Sequence, residues 1–191
     1  MADISIIGTG NMGQAIAAVA GRGGHTAQLL GQSDGTVEVA SDIVVLAVPY
    51  PALQDVIRER GASLAGKVVV DITNPLDFET FDSLVVPADS SAAAEVAAAL
   101  PDSRVLKAFN TTFAGTLAAG KVGDLTTTVL IAGDDTEAKN ALAEIVTSGG
   151  LEAVDAGGLK RARELEAFGF LQLTLAAGEK IGWTGGFGTI A

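Results

Sequence analysis

The chain has 191 residues, no cysteine, one histidine and a formal net charge of −11, from 12 Lys and Arg against 23 Asp and Glu. At roughly 150 residues per domain this length holds one well-cored domain and leaves too little for a second of equal size. The composition excludes disulfides, cysteine nucleophiles and multi-histidine metal sites, and the negative balance argues against binding to nucleic acid or to an anionic membrane surface.

Apolar runs and turn signals alternate along the chain. Residues 4–7 predict a strand, and residues 11–19 a helix closed by Gly21, Gly23 and Gly24. A second strand is expected over 26–30 and a third, strongly apolar one over 42–48, stopped by Pro49. Residues 51–60 predict a helix ending near Gly61; residues 67–72 predict a strand that turns at Thr73-Asn74-Pro75. A helix follows over 90–100, with Ser90 or Ser91 as N-cap and Pro101 beyond its end. Strands are expected over 104–109 and 127–132, a helix over 136–147 capped near Asp135 or Thr136, and a short strand over 152–155. Residues 159–181 form the longest helical candidate, weakened at its centre by Gly169.

Strands apolar on both faces and separated by helices imply a parallel sheet covered on both sides. The expected fold class is α/β, with residues 1–155 as the sheet domain and residues 156–191 as a C-terminal helix and glycine-rich tail packed on it. No repeat or low-complexity linker interrupts the chain. The apolar start at 4–7 is short, follows Asp3 and runs into glycines, so no signal peptide is expected. No apolar run reaches a membrane span, and the expected location is cytoplasmic.

Gly8-Thr9-Gly10-Asn11-Met12-Gly13 has the spacing Gly-x-Gly-x-x-Gly. The spacing alone is weak evidence; its place between a short apolar strand and a helix makes it a dinucleotide-binding signal. Gly8 allows the tight turn out of the strand. Gly10 lets the backbone approach a pyrophosphate, and Gly13 lets the helix lie close to the sheet. The helix N-terminus then attracts the anion.

The segment Gly31-Gln32-Ser33-Asp34 follows the second strand, where a dinucleotide fold meets the adenosine ribose. Gly31 leaves room, Gln32 and Ser33 can donate to a 2′-phosphate, and Asp34 can instead accept from ribose hydroxyls. No Arg lies in this segment. Gly31-Gln32-Ser33-Asp34-Gly35 also spells the nucleophile-elbow pattern of α/β hydrolases, but that motif needs a following helix and a later His. Residues 36–40 are a poor helix, and the one His, His25, comes earlier and reads as a turn residue.

Further segments accompany the glycine loop in order: Leu46-Ala47-Val48-Pro49, Val70-Asp71-Ile72-Thr73-Asn74-Pro75, Lys107-Ala108-Phe109-Asn110 and Ala132-Gly133-Asp134-Asp135. Together they resemble the NADPH-dependent reductases of the deazaflavin coenzyme F420, and also the cytosolic domain of six-transmembrane ferric reductases. The resemblance implies a doubly wound Rossmann fold. It implies that Thr9, Asn11 and Met12 line the pyrophosphate, and that Ala47, Val48 and Pro49 face the ribose and nicotinamide side. Asn74, Pro75, Ala108 and Asn110 would close the nicotinamide pocket. All lie after strand C-termini, where open α/β sheets bind ligands. Lys107 reads as a solvated lysine at a strand edge.

Two departures stand out. Family members that use NADPH commonly carry Ser-Arg or Thr-Arg after the second strand, and only eleven residues separate Leu30 from Asp42. NADP is therefore favoured by analogy, with NAD open. The function expected is hydride transfer between nicotinamide and a deazaflavin or flavin-like small-molecule acceptor, a reaction that asks for positioning more than acid–base groups. The alternatives are a non-enzymatic NAD(P)-binding sensor and a reductase of the pyrroline-carboxylate or imine type; the latter normally adds a large helical domain, as the resemblance implies. A Tyr-x-x-x-Lys dehydrogenase is excluded, because Tyr50 is followed by Gln54. Trp183 in the glycine-rich tail is expected to cover the crevice, to pack on a partner subunit, or to act as a terminal packing hook. Apolar residues of the last helix, among them Leu165, Phe168 and Leu171, suit a homodimer.

Overall fold

The computed structural model of the chain describes residues 4–35 and 37–190. In chain order, β1 (Ile4–Ile7) leads into α1 (Asn11–Arg22), followed by β2 (Ala27–Leu30) and β3 (Ile43–Leu46). Then come α2 (Leu53–Leu64), β4 (Val68–Asp71), α3 (Ala92–Ala99) and β5 (Arg104–Lys107). A short helix α4 (Ala114–Ala119) precedes the small strands β6 (Lys121–Val122) and β7 (Leu125–Thr126). The chain continues through β8 (Thr128–Gly133), α5 (Thr136–Ser148) and β9 (Glu152–Gly157) to α6 (Ala162–Ala177). Single 3-10 turns lie at Gln32–Asp34, in the short link between β2 and β3, and at Tyr50–Ala52 and Leu159–Arg161, where they lead into α2 and α6.

Seven strands form one sheet in the order β2-β1-β3-β4-β5-β8-β9. β1, β3 and β4 are buried throughout, as their unbroken apolar runs require. Alternate residues feed two cores. Ile4, Ile6, Val45, Val70 and Leu106 pack under α1 and α5; Ile7, Val44, Leu46, Val69 and Val105 pack under α2 and α3. The fold is thus a doubly wound Rossmann sheet. The chain steps from β1 outward to β2 and then returns to β3 on the other side, so order reverses between β1 and β3.

The expectation of a wholly parallel sheet is corrected at one edge. β5 pairs antiparallel with β8, and β9 pairs parallel with β8, so the last two strands run against the other five. The cause is the connection. The twenty residues between β5 and β8 hold α4 and the β6–β7 pair. The chain re-enters beyond the end of β5 and runs back along it, so that Ala132 and Gly133 pair with Lys107 and Leu106. The helix expected over 159–181 is shorter than its pattern suggested, and Ala177 is its last residue. Among the described residues no helix is long and apolar enough to cross a membrane.

Candidate functional site

The glycine loop is fixed by its neighbours. Gly8 N–H donates to the Leu30 carbonyl at 2.8 Å, and Ala47 N–H donates to the Ile7 carbonyl at 2.8 Å. Gly8 has φ +121°, and a Cβ there would collide with the carbonyl of Ala47. Gly13 is buried where α1 crosses the loop, and a Cβ would collide with the Gly8 carbonyl. Gly10 differs: a Cβ there would meet no protein atom within 4 Å. It faces open space at the start of α1, whose first turn holds no acidic residue and no side-chain cap. The N-termini of α3 and α5, by contrast, are capped by Ser91 and Asp135. α1 therefore offers free amides and its dipole to an anion, and a pyrophosphate fits here.

Two crevices meet at this loop. The first, of about 370 Å³, is walled by Gly8, Thr9, Gly10, Gly31, Gln32, Ala47, Val48 and Pro49, together with Asp55, Glu59 and Arg60 of α2. Ser33 is exposed beside it and forms no part of its wall. The Asp34 carboxylate accepts from Gly31 N–H at 2.8 Å. Arg60 escaped the sequence reading because it lies on another element, 26 residues beyond Asp34. Its guanidinium donates to the carbonyls of Val37 (2.8 Å) and Asp34. Ser33 lies in a 3-10 turn and His25 at the opposite end of β2, bonded to Ser148 at 3.1 Å, so no hydrolase site forms. Of residues 36–40 in that motif's expected helix, Thr36 lies outside the described residues.

The second crevice, of about 450 Å³, is apolar and aromatic. Asn11 and Met12 form one side; Ile72, Asn74, Phe109, Asn110 and Phe113 form the floor; Leu173 of α6 and Trp183 of the tail complete it. The Trp183 and Phe113 rings lie 5.1 Å apart. Asn74 and Asn110 clasp each other. Asn74 Nδ2 donates to the Asn110 carbonyl at 2.8 Å, and Asn110 Nδ2 donates to Asn74 Oδ1 at 2.9 Å and to the Leu165 carbonyl at 2.8 Å. Asn110 Oδ1 is buried and has no hydrogen-bond partner among the described residues. Gly169 sits against this pair: a Cβ would strike Asn74 Oδ1, which is why the centre of α6 carries a glycine. Phe109 holds φ +62° beneath the pocket, a strained conformation for a bulky residue and one that recurs at functional sites. Ala108 is fully buried, and Pro75 is buried behind Asn74; neither lines a crevice.

Beneath Asn74 lies an ionic cluster invisible in the sequence. Lys107 is 0% exposed, not a solvated edge residue as expected. Its Nζ contacts Asp71 Oδ2 at 2.8 Å and Glu166 Oε1 at 2.7 Å and donates to the Thr73 carbonyl at 2.6 Å. Glu166 also accepts from the amides of Ala92 and Ala93, joining α6 to the start of α3. Burial pushes the Glu166 carboxyl up, against the pull of Lys107 and the Ala92 amide. The cluster ties β4, β5, α3 and α6 around the Thr73-Asn74-Pro75 turn. Nearby, burial and the bond to Glu95 push the Tyr50 phenol up to about 12, so it stays protonated at neutral pH.

Comparison with known proteins follows the same lines. The family described as NADP oxidoreductase, coenzyme F420-dependent matches residues 29–75. The F420-dependent NADP reductase of Methanocaldococcus jannaschii is 30% identical over 148 residues, 75% of this chain and 66% of that protein. Metalloreductase STEAP3 of Rattus norvegicus is 39% identical over 104 residues, 54% of this chain and 20% of that protein. The chain thus spans less than two thirds of these relatives' own length. A crystal structure from Arthrobacter sp. FB24, described as a candidate F420-dependent NADP reductase, shares the fold at a TM-score of 0.84 and 22% identity, covering 98% of this chain and 99% of its own. The chain thus has a Rossmann fold and is similar to the coenzyme F420-dependent NADP oxidoreductases over residues 29–75 and to one such reductase over three quarters of its length.

Proposed function

We propose that the chain is an NADP-dependent oxidoreductase that transfers a hydride between nicotinamide and a deazaflavin or flavin-like acceptor. One observation carries the reading: consecutive residues of the glycine loop line two neighbouring crevices, Gly8, Thr9 and Gly10 the first and Asn11 and Met12 the second. The first is lined by glycines up to the N-cap of α1, Gly10, which suits a pyrophosphate and adenosine; the second holds aromatic rings, which suit flat ligands. Bound, the dinucleotide supplies the hydride chemistry.

The chain's own residues bind, orient and exclude water. The first-turn amides of α1 hold the pyrophosphate. Asn110 borders the aromatic pocket and holds an unpartnered acceptor, Oδ1, that would be available to the carboxamide of a bound nicotinamide, and Asn74 keeps Asn110 in place. Phe113 and Trp183 give the acceptor a face to stack on and keep the pocket dry. In this reading residues 1–155 bind the dinucleotide, and residues 156–191 shape the acceptor side. Two relatives named F420-dependent NADP reductases favour a deazaflavin. The test is steady-state oxidation of NADPH with a deazaflavin, FMN and a ferric chelate in parallel. Turnover with a flat ring acceptor supports the reading; NADPH binding with no acceptor reduced turns the assignment toward a sensor.

A further inference from the structure

We infer that the 2′-phosphate of NADP is held by Arg60, delivered from helix α2, in place of the arginine missing after β2; this rests on the dinucleotide reading above. The segment 31–35 holds no cation, yet the crevice it borders does. Arg60 is only 7% exposed and shares that wall with Gly31 and Gln32. A guanidinium has five N–H donors, and among the described residues the hydrogen bonds of Arg60 go to the carbonyls of Val37 and Asp34. No carboxylate among the described residues lies within ion-pair distance of it. A buried cation compensated only by carbonyl dipoles is costly unless an anion completes its surroundings.

The nearby carboxylates are placed so that they do not supply that anion. Asp34 turns to the Gly31 amide at 2.8 Å. Asp55 pairs with Arg58 at 2.6 Å. Glu59 is exposed on the rim. A phosphate dianion entering beside Gly31 and Gln32 meets the remaining donors of a planar, permanently charged group, the geometry that favours bidentate phosphate binding. The carbonyl bonds keep the guanidinium in place before the ligand arrives.

The experiment is calorimetric titration of the full chain with NADP⁺ and NAD⁺, using the native protein, Arg60→Gln and Arg60→Lys. The native protein is expected to bind NADP⁺ at least about tenfold more tightly than NAD⁺. Arg60→Gln should erase that margin while leaving NAD⁺ affinity within about twofold. The margin should also shrink with added salt. Should Arg60→Gln fail to fold, Arg60→Lys reads the same quantity: a loss of about threefold or more for NADP⁺ with NAD⁺ unchanged. Equal losses for both ligands would show that Arg60 only staples residues 34–37, and a native preference for NAD⁺ overturns the inference while leaving the oxidoreductase assignment intact. Failure of the native protein to bind either dinucleotide removes both.

Discussion

The two crevices that meet at residues 8–12 are built by opposite means. The glycine-loop crevice is mainly backbone: the ends of β1, β2 and β3 lie side by side, and the open helix start needs no particular side chain. The aromatic pocket is mainly side chain, assembled from the turns after β4 and β5, helix α6 and the tail. Beneath it, the Lys107 cluster joins four elements that are distant in sequence. A site made of backbone announces itself in a short motif, because glycine spacing specifies it. A site made of side chains from far-apart segments depends on how those segments dock.

That contrast yields tests, beginning with the largest effect. Lys107→Met leaves Asp71 and Glu166 buried together without their cation, which should cost about 3–5 kcal/mol of stability in urea unfolding at neutral pH. Burial already raises Glu166, so protonation relieves the uncompensated charge as pH falls, and the deficit should narrow on acidification. A deficit that ignores pH would remove the electrostatic explanation. Gly10→Val attacks the other crevice alone. A Cβ there meets no protein atom, so the melting temperature should move by no more than about 3 °C. Dinucleotide affinity should fall by at least about a hundredfold; retained affinity would take the pyrophosphate away from this loop.

Trp183→Ala separates the two crevices in the reverse sense. The ring is 55% exposed and packs on Phe113, so its loss should raise the acceptor KM by about three- to tenfold with little change in dinucleotide binding. A parallel loss of both would mean that the tail shapes the whole site. The smallest effect belongs to a position away from both crevices. The bond from Lys139 Nζ, at 2.7 Å, holds Asp155 below the usual carboxylate range. Such a carboxylate stabilises the fold above its unfolded pKa, and that contribution is lost as pH falls through its lowered folded value. Asp155→Asn should therefore lower the melting temperature by about 1–2 °C at neutral pH. The gap should close in acid, and both binding constants should stay unchanged.

Much of the architecture was legible. β1, β3 and β4 lie within the expected runs, and Ser91 and Asp135 cap α3 and α5 within the alternatives drawn from the sequence. The small helix α4 and the β6–β7 pair were not foreseen, because six and two residues carry too little periodicity to register. The reversal of β8 escaped because the residues of a strand do not state its direction, which is set by where its connection re-enters the sheet. Within the site, Gly8, Gly10, Gly13, Asn74 and Asn110 could be named in advance, whereas Arg60 and Lys107 could not. Each owes its surroundings to residues far away in the chain: residues 34–37 for Arg60, and Asp71 and Glu166 for Lys107.

The amino-acid sequence by itself determined a sheet covered by helices on both faces and a glycine loop between a strand and a helix, because apolar periodicity and glycine spacing act over a few residues. Tertiary structure alone decided that a lysine is buried between two acids, that Arg60 lines the glycine-loop crevice with no ion-pair partner among the described residues, and that a tryptophan walls the aromatic pocket. Burial and charge compensation depend on elements brought together only when the sheet and its helices close.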